Sequence, residues 1–180
     1  MLGNGIKDVS VRARHGTSPA DWRTGLAYLL DMTKVLVLAD THNRLPANVS
    51  ALVKEVDEIW HLGDVCAPTV LDELRSFGLP VTVVRGNCDS EIAWPMALDL
   101  VRQGLRFRLQ HIPPPRHRLP KDCDVLLHGH THVPRDETIA SVRLLNPGCV
   151  TRPNRGAPPS VAFLEFSERS EFEWKLVRLR

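Results

Sequence analysis

Five apolar, β-branched runs in this chain each end on a residue that can offer a lone pair to a cation, and this recurrence constrains the fold more than any other feature. The runs are VLVLA before Asp40 and His42, EIWHLG before Asp64, VTVVRG before Asn87, FRLQ before His111, and DVLLHG before His130 and His132. Their first members stand 24, 23, 24 and 19 residues apart, each gap about one strand plus one crossover or hairpin. Such a rhythm brings distant residues to one edge of a sheet.

From Lys34 the pattern predicts strands over 34–39, 57–62 and 80–85, with helices over 46–56 and 68–77 between them. Short β-branched runs separated by helical stretches imply parallel strands joined by right-handed crossovers. After Ile92 the texture changes. LDLV and LRFRLQ are separated by Arg102, Gln103 and Gly104, a hairpin signal, and the proline-rich HIPPPRHRLP follows. Further strands are expected over 124–128, over 138–145 ending in the Asn146-Pro147-Gly148 turn, and over 161–166 paired with 172–179 across SERS. In the last of these, Phe172, Trp174 and Leu176 alternate with Glu173 and Lys175, so one face is buried. Two packed sheets with helices outside satisfy these patterns.

Residues 1–33 differ from the rest: polar and aperiodic to Ser18 and Pro19, then carrying Trp22, Leu26, Leu29 and Leu30 at helical spacing. They read as a dispensable extension before a single domain over 34–180. With 43% hydrophobic and 24% charged residues, the chain has enough apolar content for a real core. A net charge of +2 gives no broad field, which argues against bulk nucleic-acid binding. Cys66, Cys88, Cys123 and Cys149 form no CxxC and no disulfide framework, as expected of reduced cytoplasmic thiols. No apolar run reaches membrane-spanning length, and no secretory signal is readable.

Ligands of open parallel sheets bind beyond the carboxyl ends of the strands, where Asp40, Asp64 and Asn87 fall. Two carboxylates, an amide and several imidazoles form a mixed oxygen and nitrogen donor set that suits manganese, iron, nickel or zinc better than calcium. Two such cations, about 3.5–4 Å apart, can clamp the attacking and departing oxygens of an in-line displacement at phosphorus. Asp64, alone after its strand, is the best candidate to bridge them.

In order, the motifs DTH, LGD, GNCD, a lone His and GHTH resemble the calcineurin-like metallophosphoesterases, over about residues 34–180. The resemblance is strongest to the small phosphodiesterase branch of bacteria and archaea, which shares its fold with a eukaryotic retromer subunit. It implies an α/β fold, a four-layer α/β/β/α sandwich with two mixed sheets. It further implies one metal held by Asp40, His42, Asp64 and His132, and a second held by Asp64, Asn87, His111 and His130. A metal-bridging hydroxide would attack phosphorus, with Asn87 also holding the phosphate. The expected cofactors are two divalent ions, manganese first, with iron, nickel, zinc or magnesium as alternatives.

Two departures matter. Many phosphomonoesterases of this superfamily carry His after the GN asparagine, where it protonates the leaving group, but this chain has Cys88. A thiol is a poorer acid for an alkoxide, so diesters and esters with good leaving groups are the expected substrates. Asp89 is then expected beside the centre, orienting a histidine ligand or receiving a proton. The lone His111 is followed by Ile112 and prolines rather than His-Gly, which leaves His111 and His117 as alternatives, His111 favoured because it ends its strand.

Taken singly, most of these residues have ordinary explanations. A lone Asp after a strand is more often a cap or turn residue. His61 reads as a satisfied core histidine, and His128 as a neighbour of the centre rather than a ligand. Gly63, Gly86 and Gly129 read as turn glycines, Cys149 as a small turn residue, and Arg44, Arg85, Arg135 and Arg152 as solvated surface. Only the seven ligand-type residues in order support an enzyme: a hydrolase of phosphoric esters acting on a small phosphodiester, with no membrane partner. The competing reading is a catalytically weak protein-interaction scaffold of the same fold. Oligomeric state stays open, a homo-oligomer included.

Overall fold

The structure is a computed structural model that describes residues 33–167 and 171–180. The helical stripe read over Ser18–Leu30 and all of the extension except Thr33 lie outside the described residues, as does the centre of the SERS turn. The β-branched runs form ten strands: β1 (Lys34–Leu38), β2 (Glu58–His61), β3 (Val81–Val83), β4 (Ala97–Arg102), β5 (Leu105–Gln110), β6 (Val125–Leu127), β7 (Arg135–Ile139), β8 (Val142–Asn146), β9 (Ser160–Ser167) and β10 (Glu171–Arg178). Two α-helices, α1 (Ala47–Leu52) and α2 (Thr69–Ser76), lie between the first three strands.

The strands make two five-stranded mixed sheets, ordered β10-β9-β1-β2-β3 and β4-β5-β6-β8-β7. β1, β2 and β3 are parallel, as crossovers through helices require, while β9 and β10 extend the sheet antiparallel beyond β1. In the second sheet β5, β6 and β8 are parallel, and hairpins add β4 and β7 at the edges. The Gln103-Gly104 turn places both residues at positive φ, the requirement of a type I′ hairpin.

Alternation along β1 decides the layers. Val35 and Val37 face the second sheet in a core with Trp60, Phe107, Leu109, Leu127, Leu164 and Phe166, whereas Leu36 and Leu38 face outward onto Val49, Val70, Leu71 and Leu74 of the helices. Phe107 and Phe166, one from each sheet, meet edge to face at 5.5 Å, adding about 0.5–1.5 kcal/mol beyond their burial. Helices outside one sheet and two mixed sheets face to face give the α/β sandwich expected, with three of its four layers among the described residues. Among the described residues, the second sheet's outer face carries the small cluster Cys123, Leu126 and Val142, and no α-helix. No described helix is long and apolar enough to cross a membrane.

Two local expectations are corrected. The single strand read over 138–145 is two, β7 and β8, turning at Ala140-Ser141 with Ala140 at φ 55°. No glycine, asparagine or proline marks that turn, so sequence gave no signal for it. The helix read over 46–56 shortens to α1 followed by a 3-10 turn, Val53–Glu55. The crossovers and register leave the ends of β1, β2, β3, β5 and β6 opening onto one place, tied by Asp40 N–H to Gly63 C=O at 3.0 Å and Gly129 N–H to His111 C=O at 3.1 Å.

Candidate metal centre

All seven ligand-type residues converge at these strand ends. Asp40, Asp64 and His111 are buried with ligating atoms within 4.8 Å of one another. Backbone conformation is unusual here: Asp40, His42, Asn43, Asp64, Cys66, His130 and His132 all have positive φ, against Gln103, Ala140 and Arg155 elsewhere among the described non-glycine residues. Such strain persists where surrounding contacts enforce it, and it concentrates at functional sites. Gly63 and Gly86 let the loops close: a Cβ on Gly63 would stand 2.7 Å from Gly86 N, and one on Gly86 would fall on the Asp64 carboxylate.

Histidine hydrogen bonding sets the electronic character. His132 Nδ1–H donates to the Arg152 carbonyl at 2.5 Å, which turns its Nε2 toward Asp40 Oδ1 at 3.2 Å. His111 Nδ1–H donates to the Leu62 carbonyl at 2.8 Å, and its Nε2 faces Asn87 Oδ1 at 3.1 Å and Asp64 Oδ1 at 3.3 Å. His42 Nδ1 lies 3.6 Å from Cys66 Sγ, and its Nε2 is 3.3 Å from His132 Nε2. His130 Nδ1 approaches the same Asn87 oxygen at 2.8 Å. Imidazole nitrogens, an amide oxygen and two carboxylates thus crowd one pocket.

Asp40 Oδ1 sharpens the point, because it is fully buried and accepts no hydrogen bond. Burial pushes the Asp40 carboxyl up to about 6, against the pull of His111 and His132. Burial also works against the Asp64 carboxylate, but hydrogen bonds from His111 and the Cys88 N–H hold it below its usual range. At His111 burial opposes the charged ring, yet Asp64 and Asp40 raise it. In the absence of a cation, protons take up part of the unfavourable charge. A buried orphan oxygen among imidazole lone pairs and a second carboxylate fits a divalent metal, and hard oxygens mixed with imidazoles match the first-row ions.

The neighbours divide into props and bystanders. Asp89 touches no histidine; its carboxylate accepts the N–H groups of Asp64, Cys66 and Gly86 at 2.9, 2.7 and 2.7 Å. This corrects the expectation that it orients a ligand ring or takes a proton, since its oxygens are committed to tying the two loops. His117 lies exposed in the 3-10 turn Arg116–Arg118, and His111 occupies the centre. His61 is a core histidine bonded to Thr41 Oγ1 at 3.0 Å, and burial lowers it to about 3. His128 is buried against the Gly129 carbonyl, lowered to about 4 chiefly by burial.

Sequence reading missed two props. Asn146 Nδ2 donates to the Gly129 carbonyl at 3.0 Å and Thr131 Oγ1 at 3.1 Å, so the Asn-Pro-Gly turn also braces the GHTH loop. Cys66 faces His42 Nδ1, a placement only three-dimensional register reveals. Two clefts flank the Asn87–His130 pair: one of about 400 Å³ lined by Thr131, Asn154 and Arg155, the other of about 260 Å³ lined by Arg85, Met96 and Ile112.

Residues 33–169 match the calcineurin-like phosphoesterase superfamily domain. The chain is 33% identical over 164 residues to phosphodiesterase YfcE of Escherichia coli, spanning 74% of this chain and 88% of that protein. The YfcE structure superposes with a TM-score of 0.65 at 27% identity, covering 82% of this chain and all of YfcE. A probable metallophosphoesterase of Methanothermobacter thermautotrophicus is 33% identical over 144 residues, 71% of this chain and 83% of the relative. Vps29 of Chaetomium thermophilum shares the fold, with a TM-score of 0.66 at 17% identity over 82% of this chain and 97% of its own.

Proposed function

The chain belongs to the calcineurin-like phosphoesterase superfamily, and we propose that it hydrolyses small phosphodiesters at a dinuclear divalent-metal centre, manganese being the favoured ion. The observation that carries this reading is the convergence of imidazole nitrogens on buried carboxylates, with Asp40 Oδ1 lacking any hydrogen bond. One position is formed by Asp40, His42, Asp64 and His132, and the other by Asp64, Asn87, His111 and His130. Bound there, two cations supply Lewis acidity toward the phosphate and a water-derived nucleophile at neutral pH.

The remaining work falls to the chain itself. Asp64 belongs to both positions, and the Cys88 N–H fixes its Oδ1 at 2.8 Å. The Leu62 and Arg152 carbonyls hold His111 and His132 in the tautomer that aims Nε2 inward. Asn87, between the two clefts, is placed to bind a phosphate oxygen through its amide while one ester arm occupies each cleft. Leaving-group protonation is the weak function. Cys88 follows Asn87, but partial loss of hydration and the Asp64 carboxylate push its thiol up, and Asp89 is spent on backbone N–H groups. Arms that depart without a strong acid suit the site, which favours diesters over alkyl monoesters.

The test is turnover of a phosphodiester against the phosphomonoester carrying the same leaving group by the metal-loaded full chain, across several divalent ions. Diester turnover exceeding monoester turnover is the expected result. Retention of no metal and hydrolysis of neither ester would shift the assignment to a protein-interaction scaffold.

A further inference from the structure

β2 and β3 pair in parallel with His61 opposite Val83, an offset of 22 residues. Carried past the strand ends, that offset sets Cys66 level with Cys88. Both are free thiols, Cys66 half-buried and Cys88 exposed. His42 lies between their loops and the metal centre, with its Nδ1 3.6 Å from Cys66 Sγ. The two sulfurs and a ring nitrogen of His42 all lie within 4.8 Å of one another.

This donor set differs in kind from the centre beside it, having two sulfurs and one imidazole where the other offers oxygens and imidazoles. In tetrahedral zinc sites, metal–sulfur bonds of about 2.3 Å and metal–nitrogen bonds of about 2.0–2.1 Å separate neighbouring donors by roughly 3.6 Å. The Cys66–His42 pair already has that spacing. Its supports are in place too: Asp89 pins the Cys66 N–H at 2.7 Å, and Asp64 pins the Cys88 N–H at 2.8 Å. Exposure of Cys88 gives a cation a way in and leaves the fourth position to solvent.

From this geometry we infer that Cys66, Cys88 and His42 Nδ1 form a second metal site, selective for a thiophilic cation such as zinc, cadmium or copper(I). Binding replaces the two thiol protons and any proton on His42 Nδ1 with one cation. Because His42 Nε2 faces His132, a ring holding a soft cation through Nδ1 serves the catalytic position less well. Occupancy of the thiolate site is therefore inhibitory, a consequence that rests on the phosphoesterase reading.

The test uses the manganese-loaded full chain titrated with cadmium, following thiolate-to-cadmium charge-transfer absorption in the ultraviolet. The expected band is present in the wild type, reduced to about half in Cys66→Ser and in Cys88→Ser, and absent in the double variant. It persists in Cys149→Ser, where the substituted residue is the buried cysteine beside His42 and His132. As a measurement that needs no variant, cadmium also protects Cys66 and Cys88 of the wild type from alkylation by iodoacetamide, read by peptide mapping. A wild type without the band, a band that survives the double variant, or unchanged alkylation of the two residues overturns the inference. These readouts are independent of hydrolysis, so the site and the phosphoesterase reading fail separately.

Discussion

His132 Nε2 stands 3.2 Å from Asp40 Oδ1, with the ring's Nδ1–H spent on the Arg152 carbonyl and the carboxylate oxygen accepting no hydrogen bond. A carboxylate oxygen that is fully buried and unpaired is costly unless a positive charge lies beside it. This relationship organises the expected behaviour of the protein.

Asp64→Asn costs more activity than His42→Ala. The amide keeps the oxygen that accepts the Cys88 N–H, so the loop stays anchored and the change removes charge from both metal positions at once. Losing a group that merely orients a ligand costs roughly 10–100-fold; Asp64→Asn exceeds that range. Metal content and turnover measured together decide, and equal losses in both variants contradict the bridging role.

Metal binding releases protons, and more of them in acid. Burial raises Asp40 to about 6, and the paired carboxylates raise His111 against the effect of its burial. Below pH 6 both groups hold protons that a cation must displace, so apparent affinity falls as pH drops, by up to about tenfold per pH unit for each displaced proton. Titration calorimetry in buffers of different ionisation enthalpy counts the protons; a count that does not change between pH 5.5 and pH 8 contradicts the charge assignment.

Cys88→His raises monoester turnover relative to diester turnover, because an imidazole can protonate an alkoxide where the upshifted thiol does not. Comparing the two rates in wild type and variant is the check, and an unchanged ratio counts against Cys88 as the origin of the preference.

Asp89→Asn lowers stability and metal affinity together. Its carboxylate accepts three backbone N–H groups from the loops after β2 and β3, and an amide brings its own N–H against donors, at about 1–3 kcal/mol for a group left unpaired. Denaturant midpoints with and without manganese measure both effects; a stable variant with unaltered metal binding contradicts the role.

The strands and the convergence of the seven ligand-type residues were legible because each apolar run stops at one of them, and that pattern needs no tertiary knowledge. The sheets themselves followed from the same alternation, as with Phe172 and Trp174 turned inward on β10, although Leu176, expected on that face, is exposed. What escaped had no local signal. Ala140 turns a hairpin in a conformation costly for alanine, and Cys66 meets Cys88 only through strand register. Asp89 looked like a proton carrier beside the centre, whereas its partners are backbone groups, which have no sequence signature.

The most direct test of the dinuclear assignment is metal stoichiometry combined with electron paramagnetic resonance on the manganese-loaded full chain. Two manganese ions per chain with an exchange-coupled spectrum are expected, with loss of that coupling in Asp64→Asn. A single uncoupled ion, or a coupled pair that survives Asp64→Asn, would contradict it.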